Sequence, residues 1–160
     1  MTTFLIFLHV AAAIILIGPT MVATSAFPKM ASKAAAGDEP AAGAAAFLHH
    51  ISTQYGMMSM VAPLLGGAVL AFDFEAYRSN YFLHTAIVLS VLAWGFLFGM
   101  VIPQQRKIVG TLGALDPGEA DVRDVTTNIE SARVKAAAGA GIFNLLWVLV
   151  LILMFLPSPA

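Results

Sequence analysis

The chain has 160 residues, of which 59% are apolar and only 11% charged, with a net charge of −1. A water-soluble domain of this size carries roughly 25% charged residues, so the composition excludes an ordinary soluble globule and points to lipid as the solvent. The near-zero net charge offers no basic surface for nucleic acid, and the absence of cysteine excludes disulfides, iron–sulfur clusters, thiolate zinc sites and cysteine nucleophiles.

A membrane-spanning helix needs about 20 mostly apolar residues. Four stretches meet this, from about Phe4 to Phe27, Ile51 to Phe72, Tyr81 to Ile102 and Val134 to Leu156. The first has no Lys or Arg ahead of it and is too long for a signal-peptide core, so it reads as a retained helix. The expected architecture is all-α, a single four-helix transmembrane bundle spanning residues 1–160, with connectors at 28–50 and 103–133 on one side. Within the first connector Asp38-Glu39-Pro40 reads as a helix start. Within the third, Asp116-Pro117-Gly118-Glu119 does so too, with a helix expected to run from there into the fourth span.

Lys29, Lys33, Arg106, Lys107, Arg123, Arg133 and Lys135 fall on the side of these two connectors, and only Arg78 falls on the other. The positive-inside rule makes the connector side cytoplasmic, in the plasma (inner) membrane, with both termini outside. Tyr77 and Tyr81 sit at the outer boundary, where aromatic residues anchor.

Phe7-Leu8-His9 recurs as Phe82-Leu83-His84, an offset of 75 residues that also carries Pro28 onto Pro103. This pattern predicts a duplicated helical hairpin with parallel copies, and with His9 and His84 at nearly the same depth in the outer part of the bilayer.

The Phe-Leu-His-Val opening, Gly18 and the small-residue helices resemble a group of small bacterial four-helix membrane proteins. These are an uncharacterised integral membrane family (domain of unknown function 2269) and, more distantly, the copper resistance D-like membrane proteins. The resemblance implies the four-helix fold and no settled activity. The dense His/Met pattern of a copper transporter is not present.

Candidate sites follow from residue type and depth. His9 and His84, if they face each other, suit axial ligation of haem b, and otherwise serve as interhelical hydrogen-bonding groups. His49 and His50 with the inner methionines, Met57 and Met58 among them, suit copper, and otherwise are interfacial polar residues and packing. Gln54, Tyr55, Ser59 and Asn144 are expected to face the bundle interior, since lipid cannot satisfy them. Gly95 and Gly99 form a GxxxG on the third span. On the fourth, Ala136 and Ala140 with Ala137 and Gly141 form small-xxx-small pairs. Both sets serve either to close the bundle or to dock another membrane protein. No carboxylate lies within a span and no catalytic motif appears, so the chain reads as a non-enzymatic accessory or scaffold subunit of a larger membrane assembly such as a transporter, with lipid and other integral membrane proteins as its partners.

Overall fold

The structure is a computed structural model that describes residues 2–72, 74–115, 118, 121–126 and 128–156, the side chains of 76 and 77 excepted. It is all-α, and no strand occurs among the described residues. Four long helices are apolar enough to cross a membrane: α1 (Thr2–Ala35), α2 (Glu39–Phe72), α3 (Tyr81–Thr111) and α4 (Ile129–Phe155). A short helix, Phe74–Tyr77, lies between α2 and α3, and a 3-10 turn, Val122–Asp124, precedes α4.

α1 and α2 each have 34 residues. At 1.5 Å per residue each is about 50 Å long, against a hydrocarbon thickness of about 30 Å. The stretch read as a long first connector is therefore mostly helix. α1 continues to Ala35, and the chain reverses over residues 36–38 with Gly37 at φ 93°. α2 starts with Asp38 as its cap, the carboxylate accepting from the Ala41 N–H, and with proline in its first turn. α3 likewise continues past Pro103 to Thr111. The helices thus project beyond the bilayer as a head with its own apolar core of Phe27, Ala31, Ala45, Ile108, Val109 and Ala132. A second core, built from Ala93, Leu97, Val101, Ala140 and Phe143, lies where the apolar spans of α3 and α4 meet.

The third connector departs from expectation. Asp116, Pro117 and Glu119 lie outside the described residues, but no helix runs continuously into the fourth span. Asp121 and Asp124 form a reciprocal capping box around the 3-10 turn, Val125 is extended, and α4 begins under Asn128, whose side chain accepts from the Ser131 N–H.

Prolines set the irregularities within the spans. A proline has no N–H and its ring presses on the carbonyl four residues earlier. Pro19 and Pro103 each follow a wide π-helical turn, Ala13–Ile17 and Leu97–Val101, that contains that carbonyl. Pro63 follows an interruption of α2 at Ser59–Met60 that does the same. Pro28 sits in regular helix. The offset that pairs Pro28 with Pro103 therefore pairs a regular turn with a wide one.

In the half nearer the head, here the head half, all four helices pack together: α1 on α2 and α4, α3 on α2 and α4. In the other half the main packing is pairwise, Thr2–Ala12 of α1 on Val61–Phe72 of α2, and Tyr81–Phe96 of α3 on α4.

Candidate functional site

Polar chemistry gathers at the head end of the bundle, where α2 and α3 pass from apolar to more polar sequence. Along α3 the buried face runs Ala93, Leu97, Val101, Gln105, Ile108, all fully enclosed. Gln105 thus occupies a core position. Its Oε1 lies 3.4 Å from Nδ1 of the buried His49 on α2, a long hydrogen bond, and its Nε2 has no partner among the described residues. Unmet buried amide donors are uncommon in native proteins.

One residue on, Arg106 donates from Nε to Asp124 Oδ1 at 2.8 Å. The hydrogen bond from Arg106 holds the Asp124 carboxyl below the usual aspartate range, against the opposing effect of desolvation. This pair fixes the 3-10 turn onto α3. Thr111 reinforces it, its Oγ1 accepting from the Thr126 N–H at 2.8 Å. Gly110 permits the contact, since a Cβ there would overlap the Asp124 carbonyl oxygen.

Between these elements lies a half-open cavity of about 380 Å³, lined by His49, His50, Thr53, Gln54 and Arg106 on its polar side and by Ala46, Phe47, Val109, Ala114 and Leu115 on the other. Thr53 donates its hydroxyl to the His49 carbonyl at 3.0 Å. His49 and His50 therefore share one cavity wall. Met57 and Met58, grouped with them as copper ligands in the sequence, are exposed and do not line it. No cluster of three or more His, Cys, Asp or Glu with metal-binding geometry occurs among the described residues.

The outer histidines are placed separately. His9 lies against α2, Nδ1 donating to the Ala62 carbonyl at 2.7 Å and the ring seated over Gly66, where a Cβ would come within 3.0 Å of it. His84 is exposed on α3 and donates from Nδ1 to the Asn80 carbonyl of its own helix at 2.8 Å. Their hydrogen bonds go to Ala62 and Asn80 and not to each other, and they belong to different hairpins, His9 packing with α2 and His84 lying in the pair of α3 and α4.

The other polar residues at depth brace the helices. Trp94 on α3 donates from Nε1 to Ser59 Oγ at 3.0 Å, and Ser59 donates to the Gly56 carbonyl, so α3 grips α2 at its interruption. Asn144 donates to Ser25 Oγ at 2.7 Å, joining α4 to α1. Tyr55 is half-buried and Gln54 exposed. Trp147 meets Trp94 and Phe143 edge-on, at 5.5 and 6.3 Å between ring centres.

The glycines divide into two sets. Gly56 and Gly139 let neighbouring helices approach, a built Cβ coming within 2.9 Å of Leu97 and 3.0 Å of Val101 respectively. At Gly95, Gly99 and Gly141 a Cβ would meet nothing within 4 Å. The GxxxG of α3 thus faces outward. On α4 Ala136 and Ala140 are buried, Ala137 is half-buried and Gly141 is exposed.

Fold and burial define a small multi-pass integral membrane protein, four apolar helices with lipid-facing sides and a polar head end. No protein-family model, no curated protein and no solved structure matches the chain.

Proposed function

We propose that this chain is a non-enzymatic accessory subunit that docks in the bilayer against a larger membrane assembly, such as a transporter, through the outer face of α3. The observation that carries the reading is the direction of Gly95 and Gly99. The bundle already has close-approach glycines at Gly56 and Gly139, whereas a Cβ on either member of this pair would meet no described neighbour within 4 Å. Small residues spaced by four on a lipid-facing helix let a second backbone come near, and van der Waals packing then drives association. The Lys and Arg residues of the head support a reading in which it faces the cytoplasm across the plasma membrane, with both termini outside.

The test is co-purification in mild detergent at native expression. The wild type should bring down a larger membrane complex in fixed stoichiometry. Gly95→Leu/Gly99→Leu should lose it while keeping its thermal transition. A wild-type chain recovered alone, or a glycine variant that keeps every partner, would overturn the reading.

Haem binding is a second reading, supported by one observation. His9 and His84 each donate Nδ1–H to a backbone carbonyl, the tautomer that leaves Nε2 as the ligating nitrogen. It requires that the two outer hairpins bring the rings together, or that each binds a group shared with a partner. A Soret band lost in His9→Ala and in His84→Ala supports it, and a flat visible spectrum of the native-membrane protein excludes it.

A further inference from the structure

We infer that Asn144 and Trp147 of α4 hold a buried water molecule between them, inside the apolar part of the bundle. Two atoms carry the inference. Asn144 Oδ1 and Trp147 Nε1 are enclosed by protein and have no hydrogen-bond partner among the described residues. The first can only accept and the second can only donate. They belong to side chains at i and i+3 of one helix, which are neighbours about 5–6 Å apart at Cβ. The direction of the Asn144 amide follows from its other bond. Ser25 donates its hydroxyl to the Met21 carbonyl at 2.7 Å, so its oxygen is left to accept, and Asn144 Nδ2 donates to it at 2.7 Å. A reversed amide would set Oδ1 against an oxygen whose proton is already committed. Oδ1 therefore turns away from α1 and into the protein.

The two residues do not bond each other because different neighbours hold them. Ser25 draws Asn144 towards α1. Trp147 is fixed edge-on to Trp94 of α3 and to Phe143, at 5.5 and 6.3 Å between ring centres. A buried donor and a buried acceptor left unmet are each costly, and one water accepts from the indole N–H and donates to the amide oxygen at once. That supplies the minimum of about two polar contacts that retains a buried water. With it, a polar belt crosses all four helices. It runs from Ser25 on α1 through Asn144 and Trp147 on α4 to Trp94 on α3, which donates to Ser59 on α2. The inference does not rest on the glycine face, since Gly95 and Gly99 point away from these groups.

The test is NMR of the full chain in detergent micelles, labelled with 15N-tryptophan. The chain has two tryptophans, so Trp94→Phe assigns both indole signals. In a rotating-frame Overhauser spectrum the Trp147 Hε1 should show a cross-peak at the water frequency. Its sign should be that of a dipolar contact, which separates a bound water from proton exchange. Asn144→Leu should remove the cross-peak, and Ser25→Ala should keep it. Loss in Ser25→Ala would mean that the Ser25 hydroxyl proton relays the signal, and would overturn the inference. So would a wild-type Trp147 Hε1 with no water cross-peak and an upfield shift, which would place its N–H against the Trp94 ring. The wild-type spectrum decides even if Asn144→Leu does not fold.

Discussion

At the scale of single residues, His9 shows how a polar side chain is settled inside lipid. Its Nδ1–H reaches a carbonyl on the neighbouring helix, and Gly66 leaves room for the ring. Interhelical hydrogen bonds in membranes contribute about 0.6 kcal/mol on average and at most about 1.7. His9→Phe should therefore lower stability by about that range in a detergent unfolding assay. Gly66→Val should push the ring off the Ala62 carbonyl and cost a similar amount. The double variant should cost less than the sum, because both changes remove one contact; strict additivity would show that the ring and the glycine act separately. Asp124 supplies a pH dependence. Its folded pKa lies below its ordinary value of 3.8 because Arg106 donates to it. A carboxyl depressed in the folded state stabilises fully above its unfolded pKa, and that stabilisation is lost as pH falls through the folded value. Protection of the amides at residues 121–126, measured against their intrinsic exchange rates, should thus hold from neutral pH down to ~4 and fall below it. In Arg106→Gln it should already be low at neutral pH.

At the scale of elements, the joint between α2 and α3 rests on few groups. The Trp94 indole N–H holds Ser59 where Pro63 has interrupted α2. Trp94→Phe keeps most of the ring packing and removes this bond, so it should destabilise by about 1 kcal/mol; a loss several times larger would mean that the Trp94–Trp147 contact dominates. Much of this level was legible in the sequence. Four apolar stretches and the Asp38 cap follow from composition and local stereochemistry. The extent of the helices was not, because hydropathy ends at the interface whereas the Ala-rich chain past Phe27 stays helical for reasons of propensity. Gln105 was missed for the same reason, as it was assigned to a connector. Yet Leu97, Val101 and Gln105 recur every four residues on one face of α3, and extending the ladder past Pro103 finds it. Gly95 and Gly99 each lie two residues from that ladder, about 200° around the helix, which is why they face outward. Sequence could not choose that ladder as the core, since lipid and helix neighbours are equally apolar.

At the scale of the molecule, the head half is a closed four-helix bundle continued by a packed head, while the other half is held in pairs. The functional readings cluster accordingly: the outward glycines lie in the middle of α3, and His9 and His84 in the looser half. What they face depends on which way the bundle sits in the membrane. With seven of eight Lys and Arg residues on the head side, the head should be cytoplasmic. The chain contains no cysteine, so single introduced cysteines report topology without background. Thr3→Cys and Ser79→Cys should react with a membrane-impermeant maleimide in intact cells or spheroplasts, whereas Ser32→Cys and Ser131→Cys should react only after permeabilisation. The reverse pattern would put the head outside. It would leave the glycine face intact, because a packing surface in the middle of a span works in either orientation.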